Sequence, residues 1–292
     1  MISLERQTNG CEGPVFRSLL FVPADTESKL TKAKQIGADA LVLDWEDAVL
    51  PQSKPLARKL ALTFLSGQPD FGPTLFVRCN SVRSAYFTDD CLAFQTLLPR
   101  AIVLSKCQSA EEVHQLEKFL DQRDPGGQVS IYPQVESPLA VINAFAIATS
   151  CGRVAGLLFG AEDFSAEMGI TRTEGEIELL YARSALLTAC HASRRQAIDS
   201  PFLEWKDAEK LRAHIQASRN LGFSGKSAIH PKQVTVINEI FSPSRAEVKH
   251  ARRILQAFSG SNSGVLALDG SMVDEAIVRR AREILRMAGE SI

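Results

Sequence analysis

The chain has 292 residues, 45% of them hydrophobic and 23% charged, with a formal net charge of -1. That balance excludes general disorder and a broad basic footprint for nucleic acid or an anionic membrane, while leaving room for a local basic pocket. At this length one α/β barrel or two ordinary domains are expected. Cysteines stand at 11, 79, 91, 107, 151 and 190 without CxxC spacing, a usage that fits reduced thiols in a cytoplasmic protein. The opening MISLERQTNG lacks the apolar core of a secretory signal, and no apolar run reaches the about 18 residues of a membrane span.

Strand-like and helix-like runs alternate from residue 18 onward. SLLFVP (18–23) precedes an amphipathic segment, 26–36. ALVLDW (40–45) precedes a proline-started helix over 51–65. TLFVRCN (74–80) is followed by 88–98, AIVLSK (101–106) by 109–120, and VSIYPQVE (129–136) by 138–148. VAGLLFG (154–160) leads to a long helix over 174–192, RQAIDSP (195–201) to 207–220, and FSGKSAIHP (223–231) to 232–240. Eight β-then-α units imply a parallel sheet with helices outside it, and their number predicts a closed (β/α)₈ TIM barrel. An open doubly wound sheet would carry a nucleotide fingerprint, and no GxGxxG follows the first strand. The barrel is assigned to 1–243. Residues 244–292 form a C-terminal helical extension: a helix over 244–258, a Gly/Ser hinge SGSNSG, the short run VLAL, and a last helix over 272–288.

Catalytic groups of such barrels stand at the C-terminal ends of the strands. The polar residues near strand ends are Arg17 on strand one, Asp44, Glu46 and Asp47 on two, Arg78 and Asn80 on three, and Lys106 on four. Glu136 ends strand five, Glu162 and Asp163 follow six, and Lys226 and His230 lie on eight. Carboxylates from strands two, five and six converging on one mouth repel each other unless protonated or paired. A divalent cation resolves the conflict, and oxygen ligands without a His or Cys cluster suit Mg²⁺ better than Zn²⁺. Arg78 is then the forked donor for an anionic substrate. Taken one at a time, these residues have plainer readings. Asp163 serves equally as a helix N-cap, and Glu136 as a first-turn carboxylate favoured by the helix dipole. Asp44, Glu46 and Asp47 are by themselves a solvated loop. His230 before Pro231 is a turn histidine, and His114, His191, His214 and His250 fall on helices as packing or surface residues.

Seven blocks in order give the chain a resemblance to a known family. They are residues 17–49, FVRCN (76–80), VLSK (103–106), YPQVESP (132–138), LLFGAEDFSAEMG (157–169), GKSAIHPKQV (225–234) and ALDGSMVD (267–274). In these the chain resembles the citrate lyase β-subunit-like family of the HpcH/HpaI aldolase superfamily, which includes malyl-CoA and citramalyl-CoA lyases. The resemblance implies a barrel in trimers or hexamers that cleaves a β-hydroxyacyl-CoA thioester by retro-Claisen chemistry. Citramalyl-CoA, giving pyruvate and acetyl-CoA, is the leading substrate, and malyl-CoA, giving glyoxylate, is the next. Citryl-carrier-protein cleavage, malyl-CoA thioester hydrolysis and a catalytically silent scaffold subunit are the alternatives. It implies Mg²⁺ on Glu136 and Asp163, an acidic ring of Glu46 and Asp47 partnered by Lys54, and substrate binding by Arg17, Arg78, Glu136 and Lys226. It also implies a catalytic Asp274 delivered by the C-terminal lid to a neighbouring subunit's barrel. Trp45 replaces the family's usual Leu and Ser105 its usual Pro, two changes expected to reshape the mouth.

Overall fold

The computed structural model describes residues 14–67, 72–260 and 264–290. Eight parallel strands close into a barrel in sequence order: β1 Ser18–Pro23, β2 Ala40–Asp44, β3 Thr74–Cys79, β4 Ala101–Leu104, β5 Ser130–Val135, β6 Gly156–Phe159, β7 Gln196–Asp199 and β8 Gly225–Ala228. Closure is made by β1 against β8, with Leu19 opposite Ser227. The helices between them are α1 Glu27–Ala33, α2 Lys54–Ser66, α3 Phe87–Phe94, α4 Ala110–Arg123, α5 Pro138–Ile142, α6 Ala144–Ala148, α7 Ala161–Met168, α8 Leu180–Ala192, α9 Ala208–Leu221 and α10 Pro231–Ile240. The barrel read from the alternation is therefore the one found.

Side chains on a strand alternate between two faces, and here the alternation divides the core in two. Leu19, Val42, Phe76, Val103, Tyr132, Leu158 and Ile198 pack inside the barrel. Their strand neighbours Leu20, Leu41, Leu43, Leu75, Val77, Ile102 and Leu157 pack outward against the helices. Phe16, Phe76 and Tyr132 meet edge-on or tilted at 5.0–6.4 Å between ring centres and fill the interior. The barrel is thus a packed core, as its class requires. One step further along each strand, the same parity turns Asp44 after Val42, Arg78 after Phe76, and Gln134 after Tyr132 toward the axis. A polar tier caps the apolar one.

Two elements differ from the sequence reading. The stretch after β6 is itself a helix, α7, so Asp163 sits in its first turn, with Gly160 as N-cap and left-handed Gly169 (φ +65°) as C-cap. The expected single helix over 138–148 is two short ones broken at Asn143.

Beyond the barrel, α11 (Arg245–Ser259), a β-hairpin of β9 (Leu266–Leu268) and β10 (Ser271–Val273), and α12 (Glu275–Met287) share an apolar cluster of their own. Its buried members are Ala251, Ile254, Val273, Val278, Ala281 and Leu285. The capping box of Ser244 and Glu247 starts α11, and an Arg219–Glu247 ion pair at 2.8 Å ties it to α9. Part of the Gly/Ser hinge, 261–263, lies outside the described residues.

Candidate active site

A cavity of about 320 Å³ opens at the C-terminal mouth of the barrel. It is lined from below by Asp44, Arg78, Gln134 and Glu136, from the β6 side by Gly160 and Asp163, and from the β7–β8 side by Ser200, Ser227 and Ile229.

The ladder itself builds the first pair. Asp44 lies directly opposite Arg78 in the β2–β3 register, and Arg78 donates Nε and Nη2 to its two carboxylate oxygens at 2.8 and 2.5 Å. A forked guanidinium on a carboxylate is the strongest geometry such a pair has. The remaining Nη1 stands 3.2 Å from Glu46 Oε2 and 3.5 Å from Gln134 Oε1, and the guanidinium lies 5.1 Å over the Phe21 ring. Burial works against this charge, yet Asp44, Glu46 and Glu136 hold the guanidinium firmly protonated. Arg78 is thus a fixed cation at the cavity wall.

Lys106 supplies the second link, one that sequence reasoning left without a role. It adopts a left-handed backbone (φ +50°), uncommon for a side-chain-bearing residue and a pointer to a functional constraint. The twist lets its backbone N–H donate to Glu136 Oε1 at 2.6 Å. Its Nζ reaches Glu46 Oε1 at 3.0 Å and Asp47 Oδ2 at 2.8 Å. Lys106, not Lys54, is therefore the cation that partners the two acids. Lys54 is buried and donates to the carbonyls of Trp45 and Glu46 and to Asn80 Oδ1, at 2.7, 3.0 and 2.8 Å. It clamps the β2–α2 loop by its main chain, a correction to the expected acid–Lys54 pairing.

Glu136 is buried, and Gln134 Nε2 donates to its second oxygen at 2.7 Å. Burial, then the negative charges of Asp163 and Glu46, push its carboxyl well above the usual range, only partly offset by Arg78. Burial likewise raises Glu46, against Arg78 and Lys106. At Asp47 burial is outweighed by hydrogen bonds with Lys106 and Glu46, and the carboxyl stays low. Half-buried Asp163 has no hydrogen-bond or ion-pair partner among the described residues. Gly160 makes the arrangement possible: a Cβ there would stand 2.5 Å from both Cβ and Oε2 of Glu136. Two carboxylates brought together with this much uncompensated charge, and only oxygen donors around them, fit a hard divalent cation. No group of three or more His, Cys, Asp or Glu side chains gathers around one point among the described residues, so a cation here takes its other ligands from water or substrate.

Three expectations are corrected. Arg17 precedes β1 and so lies at the opposite, N-terminal end of the barrel. There it forks onto Asp39 (2.8 and 2.6 Å) and donates to Ser242 Oγ at 2.8 Å, a structural tie with no reach to the mouth. Lys226 alternates with inward Ser227 and points out through the wall. Fully buried, it pairs with Asp199 at 2.8 Å and with Ser218 Oγ at 3.2 Å, so it meets no substrate phosphate. Trp45 follows inward Asp44 and therefore faces the helices, stacked on Phe94 at 4.9 Å, and does not shape the cavity. Ser105 is buried with its hydroxyl unpartnered among the described residues. Asp274 caps α12, accepting from Ile277 N at 3.0 Å. His230 caps α10 through Nδ1, the turn role expected of it.

A closed parallel barrel with an acid-rich, arginine-anchored cavity at the C-terminal ends of its strands has the architecture of an α/β-barrel enzyme. Residues 17–231 match the HpcH/HpaI aldolase/citrate lyase family model. The citrate lyase subunit beta of Leuconostoc mesenteroides subsp. cremoris is 32% identical over 93% of each chain. Human mitochondrial citramalyl-CoA lyase is 31% identical over 93% of this chain and 85% of its own. The structure of the CitE protein of Mycobacterium tuberculosis, in complex with magnesium, acetoacetate and coenzyme A, superimposes with a TM-score of 0.82. It is 29% identical, over 94% of this chain and 99% of that one. The chain belongs to the HpcH/HpaI aldolase/citrate lyase family.

Proposed function

We propose that this protein is a Mg²⁺-dependent lyase that cleaves a β-hydroxyacyl-CoA thioester by retro-Claisen chemistry, with citramalyl-CoA as substrate and pyruvate and acetyl-CoA as products. The observation that carries the reading is the meeting of Glu136 and Asp163 at a cavity whose wall holds a fixed Arg78. Glu136 and Asp163 would hold the ion, which when bound supplies Lewis-acid stabilisation of negative charge on substrate oxygens. A carboxylate of the mouth takes the substrate's hydroxyl proton, and the C–O bond becomes the keto C=O as the C–C bond breaks. The released electron pair moves onto the acetyl carbon and thence the thioester oxygen, to which Arg78, locked by Asp44, offers its third nitrogen. A preorganised cation at that point needs no reorganisation during the step. Lys106 and Gln134 fix the two oxygens of Glu136, and Lys106 holds Glu46 and Asp47 beside it. Proton transfer at the thioester end is assigned to Asp274 of an adjacent copy in a homotrimer or hexamer, with the 244–292 unit acting as the lid that excludes water. The relation to a citrate lyase β subunit supports a second reading, cleavage of a citryl thioester on a carrier protein.

The test is a panel of racemic citramalyl-, malyl- and citryl-CoA incubated with the protein and Mg²⁺, scoring the keto acid and acetyl-CoA. Pyruvate release that stops with EDTA and in Glu136→Ala is the expected result. Silence on all three thioesters, or turnover indifferent to EDTA, sinks the reading. Mixing inactive Asp274→Ala and Arg78→Ala proteins should restore activity in exchanging oligomers, and no recovery would remove Asp274 from a shared site.

A further inference from the structure

A second cavity, of about 520 Å³, lies between the segments that follow β6 and β7, and Glu162 lines both it and the mouth. Arg172, on the connection from α7 to α8, reaches across this region. Its Nη1 donates to Glu162 and its Nη2 to Glu176. Glu176 is a fixed point. It holds a left-handed backbone (φ +49°), which a side-chain-bearing residue keeps only where its surroundings over-determine it. Both of its carboxylate oxygens are engaged. Arg172 takes one, while Arg183 Nη1 at 3.2 Å and His214 Nε2 at 2.9 Å take the other. Arg183 in turn joins buried Asp199 at 2.6 Å. A series of ion pairs therefore runs from the sealed wall at β7, through Glu176 and Arg172, to Glu162.

Glu162 stands beside Asp163 in the first turn of α7. That helix buries Ala161, Phe164 and Ser165, and no side chain caps its N-terminus. Of its three acids, Glu162 alone has an ion-pair partner among the described residues. Asp163 has none, so the helix alone aims it. The Arg172 and Glu162 side chains are 26% and 54% exposed, and an ion pair this open to water contributes little to stability. Placement is the larger effect available to it, since groups that orient a metal ligand change metal affinity by about 10–100-fold.

We propose that Arg172 is a positioning residue for the cation site: through Glu162 it sets the first turn of α7, and so the place of Asp163 against Glu136. This rests on the cation reading above and adds the residue that keeps the second of the two carboxylates in place.

Mn²⁺, a hard divalent ion visible by paramagnetic resonance, probes the site in the substrate-free protein. Arg172→Ala should weaken Mn²⁺ binding by about tenfold with little change in melting temperature, and Arg172→Lys should recover most of the loss. Direction distinguishes positioning from simple charge. Through its field alone, removing a nearby cation tightens the binding of another, and removing Glu162 loosens it. If Arg172 acts by holding Glu162, Arg172→Ala and Glu162→Ala both weaken binding, and the double variant is as weak as either. In turnover, Arg172→Ala should need about tenfold more Mg²⁺ and regain kcat once it is supplied. Tighter or unchanged Mn²⁺ binding in Arg172→Ala overturns the proposal, as does parental affinity in the double variant. A parent protein that binds no Mn²⁺, or an Asp163→Asn variant that binds it equally well, sinks the cation reading and the positioning with it. Mn²⁺ binding that depends on Arg172, with no thioester cleaved, keeps the positioning and removes the lyase.

Discussion

Two ion pairs in this barrel are built on one plan and put to different uses. Asp44 lies opposite Arg78 in the β2–β3 ladder, and Asp199 lies opposite Lys226 in the β7–β8 ladder. The first pair points into the barrel and the second out of it. Around Asp44–Arg78 the cavity wall gathers the carboxylates of Glu46, Asp47, Glu136 and Asp163 against one further cation, Lys106. Around Asp199–Lys226 the charges come near to balance. Arg183 joins Asp199 at 2.6 Å and Glu176 at 3.2 Å, and Glu176 receives His214 Nε2 at 2.9 Å. Asp199 is fully buried, and although burial alone would raise it, Lys226 and Arg183 hold its carboxyl well below the usual range. At Glu136 burial is only partly offset by Arg78 and the Lys106 N–H, and the carboxyl rises. Balanced charge sealed behind helices stabilises a wall. Unbalanced charge facing a cavity waits for a ligand.

The comparison breaks most decisively at its sealed end. Asp199→Asn leaves Lys226 and Arg183 buried with their shared partner neutralised, and a loss of about 3–5 kcal/mol in urea denaturation is expected. A loss under 1 kcal/mol would mean the outer network is ornamental. At the open end the roles reverse: Glu136→Gln should cost about 10²–10³-fold in kcat, the scale of losing one preorganised electrostatic group. The melting temperature should hold or rise, because one of the repelling acids is gone. A fall in stability with activity retained would make Glu136 a wall residue after all.

Acid titration sharpens the contrast. Burial raises the Glu176 carboxyl, but His214, Arg172 and Arg183 more than compensate and bring it from 4.5 down to about 2. A carboxyl depressed in the folded state contributes stability in full above pH 4.5 and loses it as pH falls through about 2. Denaturation midpoints followed over that window should drop in the parent protein and much less in Glu176→Gln. Smaller again is Lys106→Gly. Glycine accepts the left-handed backbone and keeps the N–H to Glu136 while removing the ammonium, so about a tenfold loss of turnover with little change in stability is expected. The least effect belongs to Arg17→Met, about 1 kcal/mol or less of stability with KM unmoved. A raised KM would return Arg17 to the substrate.

The barrel was legible because a buried parallel strand is an apolar run and a covering helix an amphipathic one, eight times over. The convergence of Asp44, Arg78, Glu136 and Asp163 was legible because strand ends must meet at a barrel mouth. What escaped has identifiable causes. Arg17 stands before its strand and Lys226 beside an inward Ser227, so strand direction and parity already excluded both from the mouth. Parity likewise sends Trp45 outward once Asp44 points in. Lys106 was not legible, since no spacing signals that a lysine after a strand will turn left-handed. Helix α7 was hidden by its eight residues between two glycines, too short for a strong periodic signal, and β10 is a three-residue strand whose first two residues are exposed.

The Asp44–Arg78 pairing across one rung has a last consequence. Slipping either strand by a single position would swing that side chain from lumen to outer layer and dismantle the forked contact. With Arg78 in the role proposed above, turnover audits the folding of the wall: in a refolded sample, specific activity should count the molecules whose second and third strands closed on the correct rung, a quantity that circular dichroism, blind to such slips, would overstate.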